Sequence, residues 1–251
     1  MSRAVPQIVP AGKLFRGSGS PLIIVFTLAC CSSLLLAQQS SSEDLPNSTS
    51  AVPLPPAEGK RIFGIIPNNR TSPSLENYKP LSAGGKFAIA RQDSFDRGTV
   101  ILAAAFAADG QLSNASPSFG QGARGYARYF GTSYADFVIG NYMSEAVFPA
   151  LLHQDPRYFR RGIGSGWSRV RYSLGQTFVT HTDSDRIRFN YSEILGNATA
   201  VAISNAYDPD HRNASAATAQ FGMQIGIDIA SNVLKEFWPD LNRKFIRKNR
   251  R

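Results

Sequence analysis

All three histidines of this chain have an aspartate close by: His153-Gln-Asp155, His181-Thr-Asp183-Ser-Asp185 and Asp208-Pro-Asp210-His211. Imidazole beside carboxylate is a ligand set for zinc or iron, and equally a general acid/base pair. The same residues also stop helices: a histidine at a helix C-terminus meets the favourable end of the dipole, and Asp with Pro or Ser begins a turn. In an up-and-down bundle His153, Asp155, Asp208, Asp210 and His211 share one end. His181 and Asp183 fall at the other, on the order of 25 Å away at about 1.5 Å per helical residue. The first five are therefore the candidate divalent-metal site of a metal-dependent hydrolase, and helix termination is the preferred alternative.

Two glycine motifs are excluded. Gly120-Gln-Gly122-Ala-Arg-Gly125 has dinucleotide-loop spacing, but that loop works only between a strand and a helix of a βαβ unit. Around Ser165, Ile163 stands where a nucleophile elbow requires its first glycine.

The cationic candidates form two groups. Arg157, Arg160 and Arg161 are interleaved with Tyr158 and Phe159, a mixture that can contact phosphate and stack. Arg243, Lys244, Arg247, Lys248, Arg250 and Arg251 are six cations in the last nine residues. Each such residue near an anionic bilayer contributes about 1 kcal/mol, so anionic lipid or another polyanion is the expected partner, with a merely solvated tail as the alternative. The chain carries 27 Lys+Arg against 18 Asp+Glu. Three of these cations lie in the first 20 residues and six in the tail, so the body is formally neutral. Its basic balance therefore gives no reason to expect a specific nucleic-acid partner.

Those residues must be positioned by the elements around them. Residues 1–37 join a basic start (Arg3, Lys13, Arg16) to the apolar run Pro21–Ala37, the pattern of a signal peptide. Retention as an N-terminal anchor and lipidation at Cys30 are its alternatives. The only cysteines, Cys30 and Cys31, lie inside it, so the remainder must hold together without disulfides. Residues 38–60 are Ser/Pro-rich and read as a disordered linker, and 61–83 as an extended segment docked on the body. From 84 to 240 the period is helical: about five helices, one near 86–109, one long helix within 120–162 that Pro149 kinks and Pro156 closely follows, and three near 166–181, 190–207 and 213–237, with 241–251 as the basic tail.

Small residues recur every four positions at Ala123/Ala127/Gly131/Ala135, Ser192/Gly196/Ala200/Ser204 and Thr218/Gly222/Gly226/Ala230. Such rows pack ridge into groove, and they are also association faces of membrane helices. Glu193, Asn197, Asn205, Gln220, Gln224, Asp228, Asn232 and Lys235 are too polar for lipid at about 2.5–3.5 kcal/mol per central charge. The expected fold class is therefore all-α, a bundle packed through small-residue ridges. A membrane-embedded oligomerising bundle is the rival, and homo-oligomerisation remains open. Of the Asn-X-Ser/Thr triplets, Asn197 falls on a helix and is no glycan site.

The segments IFGIIPNNRT, FGQGARGYARYFG, HQDPRYFRRG and NVLKEFWPD together resemble a family of exported bacterial proteins to which no activity is assigned, over roughly 61–240. The resemblance implies a bacterial cell-envelope setting, periplasm or outer envelope, and no reaction. The combined expectation is a non-enzymatic exported envelope module that needs no cofactor and touches an anionic surface with its tail.

Overall fold

The computed structural model describes residues 61–62, 66–72 and 78–246. The expected signal peptide, the linker and the tail residues Arg247, Lys248, Arg250 and Arg251 lie outside these described residues. The architecture is mostly helical, with six helices among the described residues where about five were expected.

The additional helix comes from a break in the first. Helix α1 (Ala83–Ser94) begins at Ser82, whose hydroxyl accepts from Gly85 N. The chain then stops at Phe95, because the Asp96 side chain accepts from Gly98 N and opens α2 (Arg97–Ser113). A side-chain oxygen that satisfies a free N–H at a helix start is typically worth about 1 kcal/mol. Asp109-Gly110 is no stop: α2 continues and ends at Asn114, in the left-handed conformation at φ 52°.

A 3₁₀ turn at Pro117–Phe119 leads into α3 (Gly122–Asn141), which passes through a π-helical stretch, Tyr142–Val147, into a last turn, Phe148–Leu151. Pro149 explains the widening. It has no N–H to give the carbonyl of Glu145, its α-helical partner, and Phe148 N reaches back to Met143 O.

After α4 (Gly166–Gly175) the expected helix to 181 gives way to a hairpin, β5 (Val179–His181) against β6 (Ile187–Phe189). Helices α5 (Tyr191–Tyr207) and α6 (Ala214–Leu241) follow, capped by the Asn190 and Asn213 side chains. Helix α6 carries Pro239 inside it, beyond the stop expected at Trp238-Pro239.

Near the start, β1 (Arg61–Ile62) pairs with β2 (Ile66–Pro67), while β3 (Thr71–Ser72) lies parallel to β4 (Tyr158–Phe159). Ile62 of β1 is buried against Leu234 and Trp238 of α6.

Of the three small-residue rows, one is a packing ridge. Ser192, Gly196, Ala200 and Ser204 are all buried, and a Cβ on Gly196 would meet Ser144 Cα at 2.7 Å. The rows on α3 and α6 face outward, with Ala123, Ala127, Gly131, Thr218, Gly222 and Gly226 exposed. On α3 the glycine with a packing reason is Gly125, outside that row, where a Cβ would collide with the Gly120 carbonyl oxygen. None of the described helices is long and apolar enough to cross a membrane.

Candidate functional site

The short α4 and the hairpin decide which ends meet. Because α4 does not span the bundle, the chain returns to the end of α3 before α5 starts. Gln154 Oε1 accepts from Ser192 N at 2.8 Å and Gln154 Nε2 donates to Phe189 O. At its other end α5 places Tyr207 on Asp136 of α3 and Asp208 on Ser116.

The five candidate metal ligands are thereby split. His153 is 82% exposed and lies 3.7 Å from Asp183. Asp155 is buried and taken up by Arg157 (2.6 Å), by the Tyr78 hydroxyl (3.0 Å) and by Arg157 N. Asp208 holds His211 Nδ1 at 2.7 Å and Ser116 Oγ, and Asp210 accepts from Ser118 N. Ser116 in turn sits on Tyr129, 24 residues along the rod from His153, or on the order of 35 Å at 1.5 Å per residue. The pair expected at the far end, His181 and Asp183, is the one that joins His153 and Asp155: Asp155 N donates to His181 O and Asp183 N to His153 O. Among the described residues no group of three or more His, Cys, Asp or Glu is placed to hold a metal ion.

The first cationic group is mostly occupied too. Arg157 is bound to Asp155 and to Lys79 O. Arg160 is buried on Glu236 O. Arg161 lies over the Tyr172 ring. In the tail Arg243 pairs with Asp240. Glu236, fully buried, accepts from the Tyr158 hydroxyl, Arg169 Nε, Arg161 N and Gly162 N at 2.8–3.0 Å. It fixes the 158–162 turn to α6.

A different site lies between α1, α2, α3, α5 and α6: a chamber of about 290 Å³. Its wall is apolar, with Leu102 and Phe106 from α2, Phe137 from α3, and Met223 and Ile227 from α6. Phe106 and Phe137 meet edge to face, 5.6 Å between centroids. Its floor is charged. Arg70, on the β2–β3 turn, is anchored when its carbonyl accepts from Tyr158 N. Its guanidinium reaches Glu145 Oε1 (3.4 Å), Glu193 Oε2 (3.0 Å) and Pro156 O (3.0 Å). Asn69 donates to Asp93 of α1, and Asn197 of α5 to Asp228 of α6 at 2.7 Å. Lys235 joins them one turn beyond Ser231. A smaller space of about 40 Å³ adjoins, sharing Arg70, Asp228, Ser231 and Lys235 and adding Glu193.

Four carboxyl groups (Asp93, Glu145, Glu193, Asp228) thus share two cations in a water-poor interior. Burial, with Asp93 next, pushes the Glu145 carboxyl up to about 8 against the opposing pull of Arg70 and Lys235. Burial and then Glu193 hold Asp228 well above the usual carboxylate range. Burial also raises Asp93 and, with Arg70 beside it, lowers the Lys235 ammonium. Burial opposes the Arg70 charge, but Glu193 and Glu145 outweigh it and hold that guanidinium protonated. Shifted groups gathered at a cleft make it a candidate functional site. Two of the residues lining the chamber carry a buried oxygen, Glu145 Oε2 and Gln224 Oε1, with no hydrogen-bond partner within the protein.

Sequence reasoning noted Glu193, Asn197, Gln220, Gln224, Asp228 and Lys235 only as arguments against lipid. The available signal was spacing: 220, 224, 228, 231 and 235 fall on one face of α6, and all five line the chamber. No spacing pointed to Arg70 or Asp93. No family model matches the chain, and neither a curated protein nor a solved structure does.

Proposed function

We propose that this chain is a non-catalytic module of the cell envelope that takes a small amphiphilic molecule into the chamber between α1, α2, α3, α5 and α6. The observation that carries this reading is an apolar wall meeting a buried charged floor on which two acceptors lack partners. Ligand pockets have this composition: mostly apolar lining with a few placed polar groups. A buried acceptor without a partner costs about 1–3 kcal/mol, which a ligand with donors recovers. The metal-dependent hydrolase is the weaker reading, since its ligands stand at two ends of the molecule.

The test is to fill the chamber. Gly140 lines it, and a side chain there would meet nothing within 4 Å of its Cβ. The full chain should take up the fluorescent apolar probe N-phenyl-1-naphthylamine. Gly140→Leu should abolish that uptake with thermal stability unchanged or raised, since leucine gains about 0.8 kcal/mol over glycine in a helix. Equal uptake by both proteins would dispose of the chamber as a binding site.

A specific observation supports a second, compatible reading, contact with an anionic membrane surface. On α4 and just beyond it, Trp167, Arg171, Leu174 and Phe178 recur at spacings of four, three and four and are all exposed. Phe189, Tyr191 and Leu195 extend the patch, joined to it where Asn190 N donates to Phe178 O. Arg186 and Arg188 of the hairpin are exposed beside it. Aromatic residues flanked by arginines suit an anionic lipid interface.

A further inference from the structure

We infer that the head group of the chamber's ligand is an organic cation of the alkylammonium type, seated on the Glu145 carboxyl between α3 and α6. The inference rests on the ligand-binding reading and adds the charge and donor pattern of the ligand.

Three observations converge on it. First, the partnerless atoms are both oxygens, and both are acceptors once the Glu145 carboxyl has lost its proton. Glu145 and Gln224 both line the chamber, Glu145 is 2% exposed, and Glu145 Oε2 and Gln224 Oε1 are buried without a hydrogen-bond partner. An ammonium brings three donors and no acceptor, so it meets such an oxygen and adds no acceptor of its own needing a partner. Second, an anionic head has no cation left to meet. The Arg70 guanidinium is already spent on Glu145, Glu193 and Pro156 O, and Lys235 faces Asp93, Glu145 and Asp228. A carboxylate or phosphate placed there would add a fifth acidic group to four. Third, the apolar wall of Leu102, Phe106, Phe137, Met223 and Ile227 encloses room for a short chain. At about 30 Å³ per water-sized group, the chamber holds on the order of ten such groups.

The chemistry is an exchange of one cation for another. Every charged group that packs on Glu145 enters it: Arg70 from the β2–β3 turn, Asp93 from α1, Glu193 from α5, and Asp228 and Lys235 from α6. With the Glu145 carboxyl held near 8, an entering ammonium displaces its proton to solvent. Affinity should then rise with pH by about tenfold per unit up to that value, since one proton leaves per ligand bound. Lys235 acts in the same direction, because losing its proton leaves the floor more negative. The gain ends where the ligand's own ammonium deprotonates, near about 10.

The experiment is calorimetric titration of the full chain with hexylammonium, hexanol and hexanoate at pH 6, 7 and 8. Hexylammonium should bind best, about fivefold tighter at pH 8 than at pH 7 for a carboxyl that titrates near 8, and release protons that appear as a buffer-dependent heat. Glu145→Gln should remove both the pH slope and the proton release and weaken hexylammonium at least tenfold, while hexanol is unaffected. Gln224→Met, which loses one acceptor at constant volume, should weaken hexylammonium and keep the slope. Tighter binding of hexanoate, or an unchanged ammonium affinity in Glu145→Gln, overturns the inference. Equal binding of all three probes also overturns it and leaves the chamber reading standing. Failure of all three, together with failure of the naphthylamine probe, removes the chamber reading itself.

Discussion

At the scale of single residues, two buried glutamates show how environment sets role. Glu236 has both oxygens filled by four donors, so its charge is compensated and it serves as a rivet. Glu145 has one weak partner at 3.4 Å and one oxygen without any, so its proton stays on. This has a consequence for stability. The Glu145 carboxyl has an ordinary value of 4.5 and is held at about 8 in the fold. Between those values the folded protein keeps a proton that the unfolded chain has released, so stability falls as pH rises across that window. The cost is on the order of 1 kcal/mol per pH unit for this group. Urea unfolding should therefore give a higher midpoint at pH 5.5 than at pH 7.5, with a visibly shallower dependence in Glu145→Gln. A steeper dependence in the variant would contradict the assignment.

At the scale of elements, the π-helical stretch Tyr142–Val147 packs closely on the ridge of α5 and brings Ser144 and Glu145 to the chamber. Pro149 removes the donor that would keep α3 regular at Glu145, and the widened turn carries Ser144, Glu145 and Ala146 inward. Helix α5 can approach that turn only because position 196 has no side chain. A Cβ there would meet Ser144 Cα at 2.7 Å and Ser144 N at 2.9 Å, both backbone. Gly196→Ala should thus destabilise by about 1–3 kcal/mol through overpacking, despite alanine's better helix propensity, and should weaken ligand uptake by displacing Glu145. Gly222→Ala on α6, with nothing within 4 Å, should stabilise by about 0.5–1 kcal/mol. Thermal unfolding of the two variants checks this opposition of sign. The sequence shows the same four-residue step in both rows. Which row is buried depends on the neighbour each helix meets, and spacing within one helix carries no information about that.

At the scale of the whole molecule, the exposed face of α4 and the β5–β6 hairpin bears on where the protein works. Full-length protein should sediment with phosphatidylglycerol vesicles, weakly with phosphatidylcholine vesicles, and less as salt rises. Trp167→Ser combined with Phe178→Ser should reduce binding about tenfold or more. Deletion of 243–251 separates the two sources of affinity: binding kept after deletion but lost in the double variant assigns the contact to this face, and the reverse assigns it to the tail.

The sequence by itself determined the helical class and the placement of its last two helices, expected at 190–207 and 213–237 and observed at Tyr191–Tyr207 and Ala214–Leu241. Both are local matters, set by apolar periodicity and by an asparagine cap at each start. It also determined one packing ridge, on α5. Only the tertiary structure decided the hairpin after α4 and, through that hairpin, the end of the bundle at which each histidine lies. Only it assembled the charged chamber, because Arg70, Asp93, Glu145, Glu193, Asp228 and Lys235 come from five separate elements. In sequence each is an ordinary polar residue. The shifted protonation of Arg70, Asp93, Glu145, Asp228 and Lys235 arises from burial and from their mutual proximity, and that is a property of packing.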